Sequence, residues 1–228
     1  MRLAVLFSGG KDSCYALYKA SQYHQIKCLI TLKSKNQESY MFHTPNIDLT
    51  KFQAQSLGIT QLIKETEGKK ESELQDLKEA IKQAKEFFFI EGIVTGAIES
   101  IYQSIRIQKI CNELNLWCFN PLWQKDQIEL LNELVENKFE VLIAGIFAYP
   151  FDKKWLGRKI DKETIKELAF LKEKYKINPS GEGGELETFV INMPMFSQKL
   201  QINDFEIIYS KNNGIYKIKE CKLKNKKF

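Results

Sequence analysis

The 228-residue chain reads as an α/β protein: a parallel sheet with helices on both faces, followed by a smaller α+β domain. Three observations predict this. Short apolar runs alternate with amphipathic runs of helical spacing through the first half, the rhythm that builds parallel sheets. The first apolar run opens into a glycine-rich loop and then a helix, which is where open α/β sheets take ligands. Beyond Pro121 the rhythm weakens, and the chain ends in two strand-like pieces around a turn.

In order, LAVLF (Leu3–Phe7) predicts a buried strand and KDSCYALYKASQ, from Lys11, a helix. IKCLITLK, from Ile26, is the next strand, and NIDLTKFQAQSLG, from Asn46, a helix closed by Gly58. QLIKE, from Gln61, is a short strand; SELQDLKEAIKQAKEFF has helical spacing behind an N-cap at Ser72. IEGIVTGA, from Ile90, predicts a strand, the stretch from Ile98 to Asn115 a helix, and LWCF, from Leu116, a strand. After Pro121 come a helix in DQIELLNELVENK, an apolar run in FEVLIAGIFAY, and a long helix from Asp161 to about Tyr175. NPSGEGGELETF reads as a loop, and KLQINDFEIIYS and GIYKIKECKLK as strands split by KNNG. Two domains follow, residues 1–122 and 123–228.

Composition narrows the class. Hydrophobic residues make up 43% and charged residues 28%, values of an ordinary soluble globule with a real core. A net charge of +5 does not argue for a nucleic-acid partner, and the KLKNKKF tail is the kind of run that is usually solvated. Five scattered cysteines without a C-x-x-C pair, and no signal-like N-terminus, point to a reducing cytoplasm. They also weaken redox and zinc chemistry. No apolar stretch approaches the roughly 18 residues of a membrane helix.

The opening loop carries the chemistry. It joins a strand's C-terminal end to a helix N-terminus, whose backbone N–H groups and partial positive charge favour anions. Gly9 and Gly10 allow close backbone approach, Ser8 and Ser13 supply hydroxyl donors, and Lys11 adds a full positive charge. Asp12 could hold a magnesium ion or cap the helix. Phosphate fits best. A Walker A loop is excluded, because Val5 stands where its first glycine belongs and Asp12 follows the lysine; G-x-G-x-x-G fails as well.

SGGKDS (Ser8–Ser13) instead resembles the PP-loop of ATP pyrophosphatases. Taken with ESYMFHTPN, VTGAIESIYQSIRI, PLW, WLGR and GEGGELETFV, it resembles the diphthine–ammonia ligase family over nearly the whole chain. The resemblance implies a HUP-type ATP domain and ATP-dependent amidation of diphthine, a modified histidine of translation elongation factor 2. It implies that an acyl-adenylate forms, that AMP and pyrophosphate are released, and that free ammonium supplies the nitrogen. ATP and Mg2+ are the implied cofactors. Two alternatives stand: a PP-loop enzyme that modifies tRNA by adenylation, and a non-catalytic HUP-type ATP sensor. Oligomeric state is left open.

Residue assignments follow from loop, spacing and resemblance together. Ser8, Gly9, Gly10, Lys11, Asp12 and Ser13 would hold ATP, with backbone of Thr31 and the small Gly96 and Ala97 alongside. Lys11, Asp12 and Arg106 are the catalytic candidates, with Asp12 the metal ligand. Tyr102 and Arg106 share a helix face at i and i+4, which suits either a site or a solvated arginine beside a core tyrosine. His43, Tyr102 and Gln103 are substrate candidates, His43 equally a turn residue. Glu182, Glu185, Glu187 and Thr188 form an acidic, glycine-rich segment that suits a cationic substrate group or ammonium. The stretch YPFDKKWLGR departs from the family pattern at Pro150 and Phe151, which leaves the role of Arg158 in doubt.

Overall fold

A computed structural model describes residues 1–35, 45–68 and 70–226. The chain forms two compact units: residues 1–8 with 12–123, and residues 9–11 with 124–228. The three residues at the tip of the glycine loop therefore belong to the second unit.

The first unit is a five-stranded sheet in the order β3-β2-β1-β4-β5, with each neighbouring pair parallel. Its strands are β1 (Arg2–Leu6), β2 (Gln25–Ser34), β3 (Thr60–Thr66), β4 (Gly92–Val94) and β5 (Trp117–Phe119). Between them run α1 (Lys11–Ser21), α2 (Thr50–Leu57), α3 (Lys70–Phe88) and α4 (Ile101–Glu113). Alternation sends Ala4, Cys28, Ile30, Leu32 and Ile93 to one face, where they pack with Leu77, Ile81 and Ala84 of α3 and Ile107, Ile110 and Cys111 of α4. Leu3, Val5 and Leu29 point the other way and are fully buried too. Burial on both faces explains why β1, the middle of β2 and β4 read as unbroken apolar runs, unlike the edge strand β3.

Local signals account for most helix ends. Gly58, at φ 66°, closes α2, and Ser100 caps α4 by accepting the Gln103 N–H. Two differences from the sequence expectation stand out. The helix expected from Ser72 begins at Lys70, so Ser72 lies inside α3 rather than capping it. The stretch from Asn46 starts as a short 3-10 turn, Ile47–Leu49, before α2.

The second unit holds α5 (Gln127–Glu136), β6 (Glu140–Ile146), α6 (Lys162–Tyr175), β7 (Leu186–Asn192), β8 (Gln198–Ser210) and β9 (Asn213–Asn225). Its antiparallel sheet has the order β7-β6-β9-β8. Asp126 caps α5 through the N–H groups of Ile128 and Glu129, and Asp161 caps α6 through Thr164. The segment read as a loop through Phe189 is in fact a strand from Leu186 onward. Its burial pattern shows no clean alternation, so the period-two signal of a half-exposed strand is missing. Phe151 is fully buried and meets Trp155 edge-on at 5.1 Å. Among the described residues no helix is long and apolar enough to cross a membrane.

Candidate functional site

The strand order gives the first unit a switch point. From β1 the sheet grows to β2 on one side and β4 on the other, so the crevice of an open α/β sheet lies outside the C-terminal ends of β1 and β4. The Ser8–Ser13 loop leaves β1 at that end.

Its entry is held tightly. The Phe7 N–H donates to Ile30 O (2.8 Å), and Thr31 Oγ1 donates to Phe7 O (2.7 Å) while accepting from Gln61 Nε2 (2.8 Å). Thr31 thus spends its hydroxyl on the strand that feeds the loop. Across the loop, the Ser8 N–H donates to Ser13 Oγ (3.3 Å), and the two serine hydroxyls share a hydrogen bond at 3.2 Å. Gly9 sits at φ 78°, where a β-carbon would be strained. Asp12 lies in the first turn of α1, where a carboxylate is favoured by the helix dipole.

Gly96 has a clear packing reason. A β-carbon there would come within 2.8 Å of Asp12 C and Ser13 N, so the chain after β4 abuts the first turn of α1 directly. Its neighbour Ala97 is buried and its N–H donates to Thr95 Oγ1 (3.2 Å). On α4, the Arg106 guanidinium lies 3.4 Å from the Tyr102 ring centroid and donates to Tyr102 O at 3.2 Å. The i, i+4 spacing therefore makes a real pair, a guanidinium stacked on an aromatic face. The Gln103 N–H is the one capped by Ser100.

The loop's tip is built into the second unit. Gly9 O accepts the Val190 N–H (3.0 Å), the Lys11 N–H donates to Thr188 Oγ1 (3.1 Å), and Lys11 Nζ donates to Ser180 O. Lys11 is only 2% exposed. An ammonium has three donors, and the Ser180 carbonyl takes one. Thr188, expected among the substrate-binding residues, is placed against the backbone of the loop, where its hydroxyl accepts the Lys11 N–H.

The glycine segment is folded by its own carboxylate. Glu185 Oε1 accepts from both the backbone N–H (3.0 Å) and Nδ2 (2.8 Å) of Asn178. A β-carbon on Gly183 would fall 2.7 Å from both Glu185 oxygens, so the chain passes directly over this carboxylate. Gly181 and Gly184 adopt φ of 83° and 79°, and the Gly184 N–H donates to Gly181 O (2.9 Å). Glu182 and Glu187 are half-buried. Sequence reasoning missed Gln127, Asn178 and Ser180, which tie this segment together; no motif joins residues some fifty positions apart.

Arg158 gains a definite place. Its guanidinium grips Glu167 with two bonds of 2.7 Å and lies 4.9 Å from the Trp155 ring centroid. That pairing raises the arginine pKa and lowers that of Glu167. His43 lies outside the described residues. Among the described residues no three His, Cys, Asp or Glu side chains cluster as a metal site. A magnesium ion that arrives on a nucleotide needs only one or two protein carboxylates, so Asp12 alone fits that mode and no other.

A five-stranded parallel sheet with helices between its strands, opening from β1 into the SGGKDS loop at the switch point, defines the class: an open α/β domain with a ligand-type loop. Residues 1–118 match the family described as "Diphthamide synthase N-terminal domain", and residues 126–224 the "Diphthamide synthase C-terminal domain". The chain is 36% identical to the human protein named "Diphthine--ammonia ligase" over 91% of this chain and 85% of that one. It is 34% identical to the bovine protein of that name at the same coverage. A fission-yeast protein of that name is 30% identical over 97% of this chain, which spans 39% of that longer protein. The chain belongs to the diphthine–ammonia ligase (diphthamide synthase) family.

Proposed function

We propose that the protein is an AMP-forming ligase that amidates diphthine on translation elongation factor 2 with ammonium. The observation that carries this is the pairing of both diphthamide synthase domains, over residues 1–118 and 126–224, with an intact SGGKDS loop at the sheet's switch point.

The chemistry joins two anions, so positive potential must be in place before they meet. The Ser8–Ser13 loop and the N-terminus of α1 receive the β- and γ-phosphates, with Lys11 adding charge beneath them. Arg106, stacked on Tyr102, offers a second cation with its planar donor fork fixed in orientation. Bound magnesium would neutralise phosphate charge, with Asp12 its protein ligand. A diphthine carboxylate oxygen attacks the α-phosphorus and pyrophosphate leaves. The nitrogen of ammonia then attacks the acyl carbon, AMP departs, and the surplus proton goes to solvent. Glu182 and Glu187 supply negative charge for the substrate's trimethylammonium or for ammonium. Glu185 holds the segment's shape.

The test incubates the protein with ATP, magnesium, ammonium and diphthine-bearing elongation factor. Replacing a carboxyl OH by NH2 lowers the factor's mass by about 1 Da, with AMP and pyrophosphate released in equal amounts. ADP and phosphate as the products would overturn the proposal.

A further inference from the structure

Building on the assignment of ATP to the Ser8–Ser13 loop, we propose that Gln127 is a positioning residue that couples the tip of that loop to the acidic glycine segment. It does so through Ser180 and Asn178, and every atom involved lies in the second unit.

Gln127 is the first residue of α5 and is buried. Its Oε1 accepts from the Ser180 N–H (3.0 Å) and from Ser180 Oγ (2.7 Å), and its Nε2 donates to Asn178 Oδ1 (3.2 Å). A backbone N–H can only donate, so the orientation of the Gln127 amide is settled by Ser180. At the far end a carboxylate can only accept, so Asn178 must turn its Nδ2 to Glu185 and its oxygen to Gln127. Beyond Ser180 stands Lys11, whose ammonium donates to the Ser180 carbonyl.

Every link therefore donates in the same sense: Lys11 to Ser180, Ser180 to Gln127, Gln127 to Asn178, Asn178 to Glu185. A cation stands at one end and a carboxylate at the other. Aligned hydrogen bonds away from water polarise one another, and such a network responds as a unit. Lys11 and Ser180 are 2% and 1% exposed, so little water competes at that end. The Glu185 end fixes the turn over Gly183, where a β-carbon would fall 2.6 Å from Asn178 Nδ2. Phosphate that draws on Lys11 changes its bond to Ser180, and the change passes through Gln127 to residues 178–188. Gln127 touches no substrate; it acts through its neighbours.

Two substitutions in the full chain separate this from a merely structural role. Gln127→Leu removes the acceptor for Ser180 and should raise the Kd for a non-hydrolysable ATP analogue about tenfold. Gln127→Glu keeps that acceptor and puts a second, charged carboxylate oxygen where the donor to Asn178 stood, so Asn178 Oδ1 loses its partner there. Its Kd should stay within about twofold of wild type. The second readout is amide hydrogen exchange. In the wild type the analogue should slow exchange across residues 178–188, and in Gln127→Glu that protection should vanish while the nucleotide still binds. Gln127→Glu alone decides the matter should Gln127→Leu fail to fold. Wild-type protection in Gln127→Glu, or wild-type affinity in a folded Gln127→Leu, would overturn the proposal. A wild type that binds no analogue would instead remove the ATP assignment, and this inference with it.

Discussion

Replacing Gly96 by alanine adds one carbon at a place where the neighbours are backbone. The new atom would stand 2.8 Å from Asp12 C and Ser13 N and 3.1 Å from Asp12 Cβ. Carbon atoms settle at about 3.5–4.0 Å, so roughly 0.7 Å must be found. β4 cannot supply it easily, because it pairs with β1 from Gly92 to Val94 and with β5 over the same residues. The first turn of α1 must move instead, and the phosphate loop moves with it. Such overpacking costs about 1–3 kcal/mol, or a melting temperature lower by roughly 2–12 °C. The ATP-analogue Kd, read by titration calorimetry, should rise at least about tenfold, since a 1.4 kcal/mol loss suffices. Gly58→Ala is the control: φ is 66°, nothing lies within 4 Å, and only backbone strain of about 1–2 kcal/mol applies. It should lower stability and leave the Kd unchanged. Wild-type nucleotide affinity in Gly96→Ala would refute the idea that the approach of Gly96 to α1 shapes the loop.

Thr31→Val removes a hydroxyl that donates to Phe7 O and accepts from Gln61; urea unfolding should show a loss of about 1–3 kcal/mol. The Asp126 and Asp161 carboxyls are held below their usual pKa, foremost by backbone N–H groups of Glu129 and Thr164. Their contribution is full above the ordinary aspartate range and is lost as pH falls through the depressed folded-state values. Asn at both positions should keep the caps and flatten the acid limb of a stability–pH profile. Arg158→Lys loses the two-pronged grip on Glu167 and should cost up to about 1 kcal/mol by thermal melt while turnover holds. Burial raises the Cys28 thiol to about 12, so alkylation of the native protein at pH 8 should be slow there and become fast on unfolding.

The β-α half of the fold was open to reading because its signals are local: an apolar run, a cap, a closing glycine. Gly58 announces the end of α2 within a few residues, and in the second unit Asp161 does the same for the start of α6. β7 was hidden because its glycines stop at Gly184 while the strand from Leu186 is buried on both faces and shows no alternation. In the site, the SGGKDS loop and the shared helix face of Tyr102 and Arg106 could be anticipated, since both depend on short spacings; that the guanidinium stacks on the ring could not. Gly96 was expected to make room for a nucleotide, and it makes room for the α1 backbone. Glu185 was grouped with Glu182 and Glu187 as charge for a cationic substrate group or ammonium; one of its oxygens accepts from Asn178. Asn178 in turn meets Gln127 of α5, 51 positions away, and no local pattern carries that contact.

The most direct test is a crystal structure with a non-hydrolysable ATP analogue. The β- and γ-phosphates should lie against the backbone between Ser8 and Ser13, with the α-phosphorus open toward the ends of β1 and β4. A triphosphate lodged anywhere else would contradict the assignment on which the proposed reaction depends.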